Sequence, residues 1–89
     1  MLDYIAPRAE KPKDVTIFTR KGCEYCTRAK GLLNDLGMDY EELVLNRDYT
    51  EASLRAVCGR SSVPQVFIDG EHIGGSEELA SYFEKDIAA

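Results

Sequence analysis

The chain has no tryptophan, a single histidine (His72) and only three cysteines among 89 residues. A structural zinc site needs four ligands. Beyond one close-set cysteine pair, only Cys58 and His72 could supply them, each alone in the sequence. Three cysteines cannot all pair within one chain, and a stapled secreted scaffold carries an even and larger number. No apolar run approaches the length needed to cross a bilayer. Met1-Leu2-Asp3-Tyr4 lacks the basic start and apolar stretch of a secretion signal. Positive charge is also scarce: eleven Lys and Arg face sixteen Asp and Glu, for a net charge of −5. With no basic stripe, nonspecific nucleic-acid binding is excluded. The odd cysteine count with one close-set pair predicts a reducing, cytoplasmic setting, and neither membrane nor nucleic acid is expected as a partner.

What is present suits one small domain. The apolar fraction of 44% and charged fraction of 30% are those of a folded chain, and this length supports a single core. Residues 1–13, with two prolines and mixed charge, read as a tail or linker ahead of a domain over 14–89. Val15-Thr16-Ile17-Phe18-Thr19 is a β-rich run that predicts a buried strand. Cys26, Ala29, Leu32, Leu33 and Leu36 follow helical spacing, and Gly37 stands where a helix end takes a left-handed residue. Tyr40 to Leu45 predicts a second strand. Asp48 or Thr50 caps a second helix bearing Leu54, Val57 and Cys58 on one face, ended by Gly59. Asp69-Gly70 between apolar runs is a hairpin signal. A last helix follows Gly74-Gly75-Ser76, with Leu79, Tyr82, Phe83 and Ile87 on one face. The order β-α-β-α-β-β-α predicts an α/β fold: a four-stranded mixed sheet flanked by three helices.

The chemistry centres on Gly22-Cys23-Glu24-Tyr25-Cys26. Cys23 falls where a strand hands over to a helix. Unpaired backbone N–H groups and the helix dipole stabilise an anion there, and Arg20 and Lys21 add positive charge. The thiolate is the reactive form of cysteine, and such surroundings lower its pKa. Cys26 lies one turn deeper, within disulfide reach and more shielded. A structural disulfide closing so short a loop would restrain little of the unfolded chain. The pair therefore reads as a redox couple, with Cys23 attacking and Cys26 resolving.

The strand before Gly22-Cys23-Glu24-Tyr25-Cys26, the helix after it, Ser61-Ser62-Val63-Pro64-Gln65-Val66-Phe67-Ile68-Asp69-Gly70-Glu71-His72-Ile73-Gly74-Gly75, and Ser76-Glu77-Glu78-Leu79 together resemble a dithiol glutaredoxin. The likeness is greatest to the glutaredoxin domains of bacterial peroxiredoxin–glutaredoxin hybrids, whose tails are similar to Leu2-Asp3-Tyr4-Ile5-Ala6-Pro7. The resemblance implies a thioredoxin fold and a monomer that reduces protein disulfides and glutathione mixed disulfides. It implies glutathione as co-substrate, glutathione reductase as the indirect source of electrons, and disulfide-bearing or glutathionylated proteins, a peroxiredoxin among them, as partners. It also implies a cis Val63-Pro64 bond that frees the Val63 backbone to pair with glutathione. Gly74 and Gly75 would let the ligand approach closely. Backbone N–H groups near Ser76 and Glu77 would hold the γ-glutamyl carboxylate, and Glu77 or Glu78 its ammonium, although capping of the last helix explains that acidic pair equally well. Arg20 would meet the glycine carboxylate, and Tyr25 would pack beside the thiol.

Two departures bear on function. Glu24 replaces the family's active-site proline, which stiffens the first helical position. A carboxylate there repels a thiolate, so the Cys23 pKa should exceed that of a proline-bearing relative while staying below that of a free cysteine. Glu51 stands where a basic or amide residue often meets the glycine carboxylate, which raises glutathione amide as an alternative thiol. Against that, an exposed Glu51 pointing elsewhere is the simpler account. Cys58 reads as an inert, partly buried thiol and His72 as a strand-surface residue. Two other functions remain open. One is an electron donor reduced by a thioredoxin-reductase-like flavoenzyme, although the thioredoxin motif Trp-Cys-Gly-Pro-Cys is missing. The other is a dimer holding a [2Fe–2S] cluster through the first cysteine and glutathione. No resident metal is otherwise expected.

Overall fold

The computed structural model describes residues 14–88; the tail expected over 1–13 lies outside them. Strand β1 (Val15–Thr19) leads through a tight turn into helix α1 (Glu24–Asp35). Strand β2 (Glu41–Val44) and helix α2 (Glu51–Cys58) follow, then the hairpin of β3 (Gln65–Ile68) and β4 (Glu71–Gly74), and finally α3 (Ser76–Ala88). The sheet runs β2-β1-β3-β4. β1 and β2 are parallel, with Ile17 opposite Glu42. β3 lies antiparallel to β1, with Ile17 opposite Val66, and β4 antiparallel to β3. This is the order and mixed pairing that the sequence predicts, and it is a thioredoxin-like fold.

Alternation along the strands sorts the side chains. Val15, Ile17, Val66 and Ile68 form one face, packed with Ala29 and Leu33 of α1 and Leu79 and Phe83 of α3. Phe18 and Phe67 form the other, where the Phe18 ring meets Phe67 and Tyr49 edge to face. β1 is central and buried through Val15, Ile17 and Thr19, so its C-terminal end is the most firmly anchored point of the sheet. There the Thr19 carbonyl accepts the Leu45 N–H at 2.9 Å and the Tyr49 hydroxyl at 2.7 Å. The active turn leaves from this anchored end.

Several local expectations need correction. α1 ends at Asp35, and Leu36 is its C-cap, an exposed side chain outside the buried stripe. Thr50 caps α2. Asp48 instead accepts the Val44 N–H and pairs with Arg47, which closes the turn after β2. Val57 is 60% exposed, because α2 has only eight residues and buries just Leu54. Tyr82 is partly buried against the core beside Leu79 and Phe83. The Ile87 side chain falls outside the described residues.

Candidate functional site

The turn before α1 needs a left-handed residue, and Gly22 supplies it at φ +70°. Cys23 then takes an extended conformation as the N-cap of α1. Its sulfur accepts the Cys26 N–H at 3.2 Å and its carbonyl the Thr27 N–H at 3.2 Å. The Cys23 sulfur thus occupies the place where a helix ordinarily sets a hydroxyl or carboxylate oxygen. Cys23 and Cys26 are joined in a disulfide, with Cα atoms 5.2 Å apart. Cys23 is 7% exposed and Cys26 2%. Both are buried, Cys26 the more deeply. Cys58 is a free thiol, half-buried, 3.3 Å from the Leu54 carbonyl.

The loop before β3 comes up against the first sulfur. Cys23 Sγ lies 3.8 Å from the Val63 carbonyl oxygen, and the Val63-Pro64 peptide is cis. Beside it runs a groove of about 240 Å³, lined by Tyr25, Arg60, the Ser62–Gln65 segment and the Gly75–Glu78 segment. Tyr25, Val63, Pro64, Gly75, Ser76 and Glu77, which lie far apart in sequence, are thereby brought into one groove. Arg20 is not among them. It lines a second cleft of about 480 Å³ with Lys21, Cys23, Cys26, Lys30, Glu42 and Arg47. The cysteine pair lines the basic cleft, and the approach of Cys23 to the Val63 carbonyl sets it next to the groove bordered by the start of α3.

The acidic pair Glu77 and Glu78 is split in role. The Gly75 N–H donates to Glu78 Oε1 at 2.8 Å. That bond, followed by the Glu78 backbone N–H, holds the Glu78 carboxyl below its ordinary range. Glu78 is a helix cap, while Glu77 is an exposed residue of the groove wall. Gly74 is required by this arrangement. Its φ is +122°, and a Cβ there would come within 3.0 Å of the Glu78 side chain.

Three features escape a reading of the sequence alone. The Thr19 hydroxyl and Lys30 ammonium both donate to Glu42 Oε2, at 2.8 and 2.9 Å. Lys30 first, then Thr19, lowers the Glu42 pKa, so a carboxylate forms part of the basic cleft. Tyr49 is buried, and burial pushes its hydroxyl pKa up. Gln65, 1% exposed, donates from its amide to Ser62 and faces His72. Glu24 leans along α1 toward Arg28 at 3.4 Å, and the Arg28 guanidinium sits 5.1 Å from the centre of the exposed Tyr25 ring. Glu51 is the exposed first residue of α2 and lines neither pocket. Among the described residues, no cluster of three or more His, Cys, Asp or Glu could hold a metal ion, and no helix is long and apolar enough to cross a membrane.

A thioredoxin-like sheet that delivers a Cys-x-x-Cys pair to a helix N-terminus defines the class of thiol–disulfide oxidoreductases. Comparison with known proteins narrows it. The glutaredoxin family model matches residues 15–73. The chain is 52% identical over 83 residues to hybrid peroxiredoxin hyPrx5 of Haemophilus influenzae. That match covers 93% of this chain and 34% of the relative, so the chain spans about a third of that protein's length. It is 43% identical over 68 residues to glutaredoxin 3 of Escherichia coli K12, covering 74% of this chain and 81% of that one. Among solved structures, a buckwheat glutaredoxin–glutathione complex matches with a TM-score of 0.75 at 31% identity, covering 83% of this chain and 71% of that chain. Glutaredoxin 1 of Francisella tularensis matches with a TM-score of 0.72 at 30% identity, over 86% of this chain and 99% of that one. The chain belongs to the glutaredoxin family.

Proposed function

We propose that the chain is a glutathione-dependent thiol–disulfide oxidoreductase with Cys23 as nucleophile and Cys26 as resolving cysteine. The observation that carries this reading is the groove beside Cys23, which joins the Val63 backbone to the amide-bearing start of α3. A glutathionyl chain laid along it reaches the Val63 N–H and C=O as an added strand would. Its γ-glutamyl carboxylate meets the Ser76 and Glu77 N–H groups, since Glu78 already takes the Gly75 N–H. The exposed Glu77 carboxylate receives the ammonium, and the Tyr25 ring borders the sulfur. A buckwheat relative of this fold was solved as a glutaredoxin–glutathione complex, which supports the same ligand here.

The chemistry balances in two transfers. The Cys23 thiolate attacks the glutathionyl sulfur of a mixed disulfide, and the protein thiolate leaves and takes a proton. A second glutathione thiolate then attacks that sulfur, releasing glutathione disulfide and restoring the Cys23 thiolate. With a protein disulfide, Cys26 attacks the Cys23 mixed disulfide instead, and two glutathiones later reduce the Cys23–Cys26 bond. Arg20 lines the cleft that Cys23 also lines, with Lys21 and Arg47. In this reading they receive the glycine carboxylate, so Glu51 is not called upon. Plain glutathione is therefore preferred over its amide, and a clear preference for the amide would reverse that choice. A peroxiredoxin is the proposed protein partner, on the strength of the hybrid relative. The setting proposed is cytoplasmic, and the oligomeric state a monomer.

The test is reduction of a glutathione mixed disulfide coupled to NADPH through glutathione reductase. Activity that depends on glutathione is expected. If turnover requires a thioredoxin reductase instead, the electron-donor role replaces this reading. A brown, cluster-bearing dimer on anaerobic purification, without turnover, would put the [2Fe–2S] role in its place.

A further inference from the structure

Gln65 is a polar residue in a strand of otherwise apolar side chains, and it is 1% exposed. A buried amide without partners is costly, so its bonds report what it is for. Its Nε2 lies 3.0 Å from the Ser62 carbonyl oxygen and 3.3 Å from the Ser62 hydroxyl. A carbonyl can only accept, so the nitrogen must face Ser62 and Oε1 must face the other way. There Oε1 lies 2.7 Å from His72 Nε2. An amide oxygen can only accept, so His72 carries its proton on Nε2. The ring is held in that orientation by stacking on Phe67, its cross-strand partner, at 4.9 Å. Both amide hydrogens and the amide oxygen are thus engaged.

The chain of contacts has a direction. His72 on β4 fixes the Gln65 amide, Gln65 fixes Ser62, and Ser62 precedes Val63, whose carbonyl lies 3.8 Å from Cys23 Sγ. We infer that Gln65, held by His72, is a positioning residue that sets the Ser62–Val63 backbone at the spacing a glutathionyl substrate requires. The inference rests on the proposed glutathione groove and deepens it. Gln65 need not touch substrate, because its polar atoms are already committed. Its effect is on recognition of the glutathionyl portion, and Cys23 keeps its helix cap and its reactivity.

Gln65→Glu is nearly isosteric, keeps an acceptor for His72 and loses both donors to Ser62. The experiment measures kcat and KM on one peptide cysteine carried as two mixed disulfides, with glutathione and with cysteamine. Cysteamine has the disulfide but no groups to reach the groove. The expected result is a fall in kcat/KM of about fivefold on the glutathionyl peptide, mostly through KM, with less than about twofold change on the cysteamine peptide. Alkylation of Cys23 by iodoacetamide should proceed at the wild-type rate. Equal losses on both peptides, or no loss on either, would overturn the inference. If Gln65→Glu fails to fold, the exposed change His72→Phe, which retains the stack on Phe67, replaces it, with about a twofold loss on the glutathionyl peptide and no change on the cysteamine peptide. Wild-type enzyme that does not prefer the glutathionyl peptide defeats the proposed groove itself, an outcome separate from either variant's behaviour.

Discussion

Helices α1 and α2 begin in opposite ways. α2 has only eight residues and buries one side chain, Leu54. Its ends are correspondingly well made. Thr50 Oγ1 accepts the Ser53 N–H at 3.1 Å, and Ser53 Oγ accepts the Thr50 N–H at 3.0 Å. Gly59 closes the other end at φ +76°. α1 has twelve residues and buries Cys26, Ala29 and Leu33 against the sheet, yet its N-cap is a sulfur. Sulfur is a poor acceptor as a thiol or disulfide and a good one as a thiolate. A helix held by packing can spare its cap for chemistry; one that packs little depends on its caps.

The sharpest way to break this comparison is Cys23→Ser. A hydroxyl is a better cap than a thiol, so the reduced variant should melt no lower than wild type. Its turnover should nonetheless fall by about a thousandfold or more, because the nucleophile is gone. A marked loss of stability would mean that the sulfur holds α1 in a way the cap geometry does not explain. Next in size, Leu33→Ala should cost about 3 kcal/mol in urea denaturation, since Leu33 is fully buried under α1. Thr50→Ala should cost about 1 kcal/mol and leave turnover unchanged, placing the weight of α2 on its cap.

Two smaller tests concern the surroundings of α1. The Lys30–Glu42 bond ties the helix to β2. Glu42 titrates lower in the native state than when unfolded, through Lys30 first and then Thr19. Its contribution is therefore complete above the ordinary carboxylate range and is lost as pH falls through the depressed native value. Glu42→Gln should flatten the acid limb of a stability–pH curve and cost about 0.5–1 kcal/mol near neutrality. An unchanged acid limb would assign it to other carboxylates. Finally, Glu24→Pro should lower the Cys23 pKa, followed by thiolate absorbance. The shift is small because Glu24 leans toward Arg28. An unchanged or higher pKa would show that residue 24 does not act on the sulfur.

Much of the architecture was legible because its signals are local. Periodicity marked all three helices, Asp69-Gly70 marked the hairpin, and Gly37 marked a turn that needs a left-handed residue. The cysteine pair was legible because two residues of spacing leave few chemistries. The errors arose where partners are distant. Asp48 and Thr50 both suit a helix cap, and only the return of the chain to Val44 assigns Asp48 to the turn. Val57 has an apolar side chain at a plausible helical position, but nothing in its spacing tells how little of α2 is covered. His72 read as a surface residue and is exposed, yet its bond to Gln65 depends on hairpin register, which no composition rule supplies. Arg20 and the groove residues were grouped by family likeness, and which pocket each of them lines depends on tertiary packing that no local signal carries.

The domain is latched at its entry. The Asp14 N–H donates to Asp69 Oδ1 at 2.8 Å, and the Asp69 N–H donates to the Asp14 carbonyl at 2.8 Å. This double clip joins the start of the central strand to the hairpin tip, at the pole of the sheet opposite the cysteines. A pull applied upstream of Asp14 is met there in shear, across ladder bonds to both neighbours of β1, and the redox turn is mechanically shielded. A module joined upstream therefore enters the domain at the end of β1 away from Cys23, a five-residue strand or about 17 Å from the turn that carries it. Delivery of its disulfide to Cys23 becomes a question of tether length and effective concentration.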